Sequence, residues 1–217
     1  MDKSRKYDDI IAKGTTANSE HVKLQNIVHM GLGFSAMMRL LEEKQKGPLH
    51  EKLVEVLPCF FVVKDNESFE KTHSDCCVWG TKNIWLAKNK RHNKPRRLIS
   101  YGQIAKTLNV VLKVAVHYAQ LPNPDKANLI QPWLHAAVDN EMMKMLKSEY
   151  KSKLNPWPES IEKVCGNQYF QIQAFVQDFI AQYHAQKLIT AVDFDDIYWN
   201  LLNKKPNKKP EDADDKE

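Results

Sequence analysis

Apolar residues recur at intervals of three and four along most of this chain, and that spacing constrains the fold more than any other feature. It places apolar side chains on one face of an α-helix, which turns once every ~3.6 residues. Glycine, which weakens helices, occurs only seven times in 217 residues. We therefore predict an all-α fold: a single globular domain of six or seven helices, with at most one minor strand.

Capping residues and prolines predict where the helices begin and end. Ser19 can cap the first helix, in which Gly31 and Gly33 either weaken the middle or allow another backbone to approach. Pro48 suits the first turn of a second helix, and Pro58 its end. Residues 60–63 could form a strand or a helix end. Further helices are predicted over residues 75–87, from Ser100 to about residue 119, and over residues 132–150, 167–187 and 193–203.

The two ends of the chain differ in composition from its centre. Residues 1–17 are polar, and residues 204–217 contain no hydrophobe larger than alanine. Such segments cannot bury enough apolar surface to offset the entropy lost on ordering. We expect a flexible N-terminus at 1–17, a helical domain at 18–203 and a disordered tail at 204–217.

Nothing in the chain predicts export or membrane insertion. The N-terminal charges are not followed by an apolar segment, and no apolar run approaches the ~18–20 residues that cross a bilayer. The four cysteines include the adjacent pair Cys76 and Cys77, which is unlike the spaced framework of a disulfide-rich protein. We predict a reduced, cytoplasmic protein with no membrane association.

Positive charge is concentrated in one part of the sequence. Between Cys76 and Pro124 there are nine lysine and arginine residues and no aspartate or glutamate. The rest of the chain carries 23 basic against 27 acidic residues, a net charge of −4. A block of one sign attracts polyanions, most simply a nucleic-acid backbone.

The densest part of this block is residues 88–97, the basic loop. Pro95 disfavours a helix there, and no apolar residue anchors the segment. The loop contains His92 but no Phe, Tyr or Trp, although Trp85 and Tyr101 flank it, so the pattern favours phosphate contact over base stacking. A solvated loop without a ligand is the other interpretation. The predicted nucleic-acid-binding residues are Lys88, Lys90, Arg91, Lys94, Arg96, Arg97, Lys106 and Lys113.

The last two of these lie on the helix that begins at Ser100. Its polar residues fall on one narrow stripe, whereas almost all its other residues are apolar. The stripe either faces water, with lysine stems over apolar surface, or lines a groove continuous in charge with the basic loop. Its members are Gln103, Lys106, Asn109, Lys113 and His117.

His135 and Asp139 lie inside the apolar stripe of the helix predicted over 132–150. A carboxylate on an apolar face is costly unless it is paired. The structural interpretation is a local His–Asp contact, or neutralisation of Lys106 or Lys113 by Asp139. The alternative is a catalytic or ligand-orienting dyad, although no nucleophile or metal partner accompanies it. Together with Gln103 and Asn109 they form a predicted structural polar cluster or possible site.

His73, Cys76 and Cys77 are possible zinc ligands by residue type, but their spacing is poor. Structural zinc sites use cysteines separated by about two to four residues, and adjacent cysteines seldom chelate one ion. Buried helical thiols are the simpler interpretation. The chain also lacks a Walker-type glycine loop, a G-x-S-x-G elbow and an H-E-x-x-H motif. We predict no catalytic residue, no metal and no cofactor.

Three segments, residues 100–113, 133–147 and 156–173, together resemble an uncharacterised family of small helical proteins found in bacteria, phages and plasmids. The shared pattern is a Tyr-Gly-Gln helix, a His-x-x-x-Asp helix, a tryptophan-led loop and a Tyr…Gln helix, and it covers roughly the C-terminal half. The resemblance brings no activity, but it implies phage defence, counter-defence or DNA maintenance as a context. It also implies that these residues belong together: Gly102, Gln103, Lys106, Asn109, Lys113, His135 and Asp139.

These features favour a non-enzymatic protein that binds DNA or RNA through the phosphate backbone. The alternative is a protein-binding subunit or inhibitor of a bacterial defence complex, because an acidic partner could use the same positive charge. A third interpretation is an enzyme that uses His135 and Asp139.

Overall fold

The structure is a computed structural model that describes residues 20–88, 94–183 and 189–203. Within these ranges the chain forms eight α-helices and one antiparallel pair of strands, which confirms the predicted all-α fold with a minor strand element. The helices are α1 (Glu20–Phe34), α2 (Glu43–Phe61), α3 (Asn66–Asn83), α4 (Tyr101–Leu112), α5 (Pro124–Ile130), α6 (Asn140–Tyr150), α7 (Gly166–Tyr183) and α8 (Ala191–Asn203). The strands are β1 (Trp85–Leu86) and β2 (Arg97–Leu98).

Several sequence predictions fall outside the described residues. These are the N-terminus at 1–17, the tail at 204–217, the last part of the helix predicted over 167–187, and the two basic residues Lys90 and Arg91. The prediction did not include α5, which is a short helix. The side chain of Asn123 caps the N-terminus of this helix.

Helix α4 lies at the centre of the fold. As predicted, Ser100 caps it: the Ser100 hydroxyl accepts from the Gln103 backbone N–H, and the Gln103 side chain accepts from the Ser100 N–H. Every residue of α4 except Lys106 is buried, and the helix packs against α1, α3 and α7. It continues as a π-helical segment, Lys113–Tyr118. The core is one apolar cluster to which all eight helices contribute.

A close approach between α1 and α4 explains one of the two central glycines of α1. A Cβ added to Gly31 would lie 2.7 Å from the Cα of Val111, whereas a Cβ added to Gly33 would meet no atom within 4 Å. Gly31 therefore serves the helix contact and Gly33 does not. The contact brings Phe34, at the end of α1, beside α4 and close to Lys106.

The predicted role of the two prolines in α2 is wrong. The helix begins five residues before Pro48 and continues through Pro58 to Phe61, so residues 60–63 are a helix end and not a strand. Each proline removes only one helical hydrogen bond. Burial of Phe60 and Phe61 in the core favours continuing the helix past Pro58.

Two other predicted helix boundaries also need correction. Helix α3 starts at Asn66, where Asp65 and Ser68 form a capping box, and ends before β1. The helix predicted over 132–150 starts only at Asn140, because the Asp139 carboxylate accepts from the backbone N–H groups of Glu141 and Met142 at 3.0 Å each and so acts as its N-cap. The preceding residues 134–138 are buried but not helical.

Candidate functional site

The basic loop connects the two strands of a short hairpin. β1 pairs with β2 so that Trp85 lies opposite Leu98. The hairpin is tied to the segment after α1 by hydrogen bonds from Ala87 N–H to the Leu40 carbonyl and from Glu42 N–H to the Trp85 carbonyl. β2 leads directly to the Ser100 cap of α4. The two strands therefore anchor both ends of the basic loop at a defined place on the helical domain.

Two glutamates from distant parts of the chain neutralise the base of the loop. Arg96 donates to both carboxylate oxygens of Glu42, at 2.5 and 3.1 Å, and its guanidinium lies 3.8 Å from the centre of the Trp85 ring. Lys94 and Arg97 both contact Glu162, at 2.5 and 2.9 Å. The hydrogen bond from Arg96 lowers the pKa of the Glu42 carboxyl. These contacts fix the C-terminal end of the loop to the domain.

The basic loop keeps a positive excess after these contacts are counted. Residues 88–97 contain six basic residues, and two carboxylates reach them among the described residues, which leaves a charge of +4. Lys88 is exposed and forms no ion pair with any residue that the structure describes. Part of the charge that the sequence presents as uncompensated is thus compensated in three dimensions, but not all of it.

Lys106 and Lys113 lie elsewhere, on the wall of a pocket of about 400 Å³. We call it the lysine–aspartate pocket. For these two lysines, the structure agrees with the interpretation in which the polar stripe lines a groove. The pocket lies between the end of α1, one side of α4 and its π-helical continuation, the segment before α6, and α8. Its charged residues are Lys106, Lys113, Asp139, Asp195 and Asp196.

Carboxylates outnumber ammonium groups in this pocket. Lys113 donates to Asp195 at 2.6 Å and to Asp196 at 2.8 Å. Lys106 lies 3.6 Å from Asp139, too far for a hydrogen bond. Among the described lining residues, three aspartates against two lysines give a net charge of −1. The two lysines therefore do not extend the positive charge of the basic loop, in contrast to the predicted continuous stripe.

Burial shapes the ionisation of the central pair. Burial raises the pKa of the Asp195 carboxyl, and the charge of Lys113 only partly opposes this. Burial also disfavours the charged form of Lys113, but the two aspartates prevail and raise the pKa of its ammonium. Lys113 is therefore held as a cation between the two carboxylates.

Three exposed aromatic side chains line the pocket. Phe34, Tyr118 and Trp199 line it while being 70%, 56% and 59% exposed, respectively. The Tyr118 hydroxyl donates to the second oxygen of Asp196 at 2.5 Å. Large exposed rings beside buried charges are unusual on a surface that binds nothing.

Asn109 and His135 belong to a separate, buried hydrogen-bond network, which we call the core network. His73 Nε2 donates to Asn109 Oδ1 at 2.8 Å, and Asn109 Nδ2 donates to the Tyr169 hydroxyl at 2.9 Å and to the Ala136 carbonyl at 2.8 Å. The Tyr169 hydroxyl in turn donates to His135 Nδ1 at 2.8 Å. Every bond in this chain forms with both histidines neutral.

The core network contains a Cys–His–Asn sequence of contacts that could be mistaken for a catalytic triad. Cys77 Sγ lies 3.7 Å from His73 Nδ1, and His73 Nε2 contacts Asn109. Burial, however, raises the pKa of the Cys77 thiol well above its usual range and lowers the pKa of His73 to about 4. Both side chains are 0% exposed, so the thiol is neither ionised nor accessible. We assign the network a structural role.

His135 and Asp139 do not share a helix face, contrary to the sequence prediction. Of the interpretations of these two residues, pairing of Asp139 with Lys106 is the one that agrees with the structure. His135 precedes the helix and bonds to Tyr169, whereas Asp139 caps α6 and pairs with Lys106. Gln103 caps α4 and accepts from Arg97 at 3.4 Å. Gly102 provides space beside the Ile161 carbonyl, which a Cβ would approach to 2.5 Å. The residues grouped by the family resemblance thus divide among two caps, a glycine contact, the pocket and the core network.

Sequence reasoning missed several residues of these sites. Tyr169 and Gln173 lie four residues apart on the buried face of α7, and Gln173 bonds to both the N–H and the carbonyl of Ala136. Their helical spacing was a usable signal, as was the position of His73 four residues before Cys77. Asp195 and Asp196 carried no local signal, because they lie about 80 residues from Lys113 in sequence.

Comparison with family models, with curated proteins and with solved structures gave no match. The family resemblance and its mobile-element context therefore stay predictions. Across the described ranges, no helix is both long and apolar enough to span a bilayer. In the same ranges no three His, Cys, Asp or Glu side chains are grouped as they would be to hold a metal ion.

Proposed function

We propose that the protein binds nucleic acid without catalysis, and that the basic loop contacts the phosphate backbone. The observation that carries this proposal is the charge of +4 that the loop retains after Glu42 and Glu162 are counted. Backbone phosphates are the simplest target for such a surface. Each phosphate contact releases condensed counterions, and this release favours binding. Lys106 and Lys113 are left out of the contact surface, since three aspartates surround them.

The architecture of the hairpin suits this role. Glu42, Glu162 and Trp85 hold Lys94, Arg96 and Arg97 at the base of the loop, so binding need not order those side chains. No Phe, Tyr or Trp lies within residues 88–97, so base stacking contributes little. Binding through such a surface is expected to be largely independent of nucleotide sequence.

Fluorescence anisotropy with labelled single-stranded and duplex DNA and RNA, at several salt concentrations, tests the proposal. With about four phosphate contacts, log K should fall against log salt with a slope of about −3 to −4. Changing Lys88, Lys90 and Arg91 together to alanine should weaken binding to every sequence alike, because it removes three of the six basic residues and leaves those paired with Glu42 and Glu162 in place. The matched control removes three exposed lysines, two on α6 and one directly after it, and should bind normally: Lys144→Ala, Lys147→Ala and Lys151→Ala.

Absence of binding at low salt, or equal binding by the loop variant and the control, would contradict the proposal. The protein-binding alternative predicts a different outcome in purification. Ile197 and Leu201, one turn apart on α8, are 42% and 61% exposed and could contact a partner. A copurifying protein that survives nuclease treatment at fixed stoichiometry would favour that alternative over nucleic acid.

A further inference from the structure

The lysine–aspartate pocket has features of a ligand site that the basic loop does not explain. Its volume of about 400 Å³ lies in the range of small-molecule sites, ~300–1,000 Å³. It combines buried charged groups with an apolar wall formed by Val110 and Val114. We propose that this pocket binds an organic cation, an ammonium or guanidinium group carried on an apolar body. The proposal is independent of nucleic-acid binding.

The charge balance of the pocket determines the sign of the charge that a ligand should carry. Lys113 contacts both Asp195 and Asp196, at 2.6 and 2.8 Å, and its single charge balances only one of them. Lys106, the other lysine among the described residues of the pocket wall, forms an ion pair with Asp139 at 3.6 Å. Among the described residues one carboxylate charge is therefore in excess, in a partly buried site where water screens it weakly. A bound cation would balance it, and a bound anion would add to it.

The exposed aromatic rings of the pocket indicate the same ligand class, independently of the charge balance. The ring faces of Phe34, Tyr118 and Trp199 attract cations electrostatically and also accept apolar groups. Together with the valines, they provide a surface for the uncharged part of the ligand. A metal ion fits less well, because no group of three metal-ligating side chains is found among the described residues. An organic cation satisfies both the charge and the rings.

Three compounds of the same size and shape but different charge test the chemistry on the full chain. Benzamidine is a cation, benzamide is neutral and benzoate is an anion. Isothermal titration calorimetry at low salt should show one saturable benzamidine site, with affinity about tenfold or more above that for benzamide, since one ion pair or cation–π contact of ordinary strength accounts for that factor. Benzoate should bind most weakly.

Variants locate the site. Asp196→Asn removes the excess charge and should weaken benzamidine binding at least about tenfold, whereas Asp178→Asn, an acid outside the pocket, should not. Phe34→Ala removes an exposed ring and should weaken binding several-fold without unfolding the chain, because Phe34 is 70% exposed. Leu129→Ala is its matched control: Leu129 is 61% exposed and lies outside the pocket.

Several results would overturn the proposal. They are equal binding of benzamidine and benzamide, preferred binding of benzoate, no saturable binding of benzamidine up to about 10 mM, and unchanged binding by both pocket variants. A further comparison of agmatine with a blocked Leu-Arg dipeptide identifies the source of the cation: the tighter ligand shows whether it is a free compound or a partner's side chain. The loop variant Lys88→Ala, Lys90→Ala, Arg91→Ala should retain benzamidine binding, which separates this proposal from nucleic-acid binding.

Discussion

Mild acid should destabilise this protein because the core network requires two neutral histidines. Burial lowers the pKa of His73 to about 4, although its bond to Asn109 opposes this. Burial lowers the pKa of His135 as well, and the nearby His73 ring, with centroids 4.9 Å apart, lowers it further. Protonated His135 would also direct an N–H at the Tyr169 hydroxyl that now donates to it, so this bond could form only with the hydroxyl turned to accept.

The sign and size of the effect follow from the pKa difference between the folded and unfolded states. A histidine whose pKa is depressed on folding contributes its full stability above the unfolded value of 6.5 and loses it as the pH falls towards the folded value. For His73, a shift from 6.5 to about 4 costs about 2 kcal/mol at pH 5 and approaches ~3.4 kcal/mol below pH 4. His135 adds to the loss in the same direction. Against a typical total of ~5–15 kcal/mol, this is a large fraction.

Urea unfolding followed by tryptophan fluorescence at pH 7.5, 6 and 5 measures this directly. The free energy of unfolding should fall by at least about 2 kcal/mol between pH 7.5 and 5. Carboxyls with lowered pKa, such as Glu42 and Glu162, lose their contribution only below their usual range near 4.5, outside this window. His29→Gln, which changes an exposed histidine, should leave the pH dependence unchanged, and His135→Gln should reduce it. Equal stability at pH 7.5 and pH 5 would refute the reasoning.

Two matched pairs of substitutions test the packing and the core network, each by urea and thermal unfolding. Gly31→Ala places a methyl 2.7 Å from the Cα of Val111 and should cost about 1–3 kcal/mol, whereas Gly33→Ala meets open space and should stabilise α1 by up to about 1 kcal/mol; destabilisation by both would contradict the close approach. Asn109→Ala removes three buried hydrogen bonds and should lower the free energy of unfolding by about 3 kcal/mol. Asp139→Ala removes a helix cap and a long ion pair and should lower it by less, ~1–2 kcal/mol. The reverse ranking would refute these roles.

The fold was predictable where local signals agreed. Ser100 supplies a cap, Gln103 completes the capping box, and the apolar residues that follow have helical spacing. The predicted helix over 132–150 failed because the apolar pattern continues through residues 134–138 in phase with α6. The Asp139 cap was a contrary local signal, and its hydrogen bonds to two backbone N–H groups decided the helix start.

The candidate sites were predictable only as residue types. The sequence shows lysines and arginines without nearby acids, but the acids that pair with them come from distant segments: Glu42 and Glu162 lie 54 and 68 positions from their partners Arg96 and Lys94. Periodicity describes one helix at a time and carries no information on such pairs. The sequence predicts only part of the core network. Asn109 is recognisable as a polar residue on an apolar helix, but its bonds to His73 and Tyr169 arise from the packing of three helices, which periodicity does not describe.

The fold divides one block of sequence charge into two surfaces of opposite sign. Lys94, Arg96 and Arg97 share two glutamates, so the basic loop stays positive, whereas Lys106 and Lys113 meet three aspartates, so the pocket is negative. Both surfaces adjoin α4, the loop through β2 and the Ser100 cap, the pocket through Lys106. A polyanion on the loop and a cation in the pocket would each stabilise the folded chain by its own binding, because each would contact residues that unfolding separates. Neither ligand needs the contacts of the other. The +5 charge of the whole chain sums over both surfaces and therefore indicates neither site.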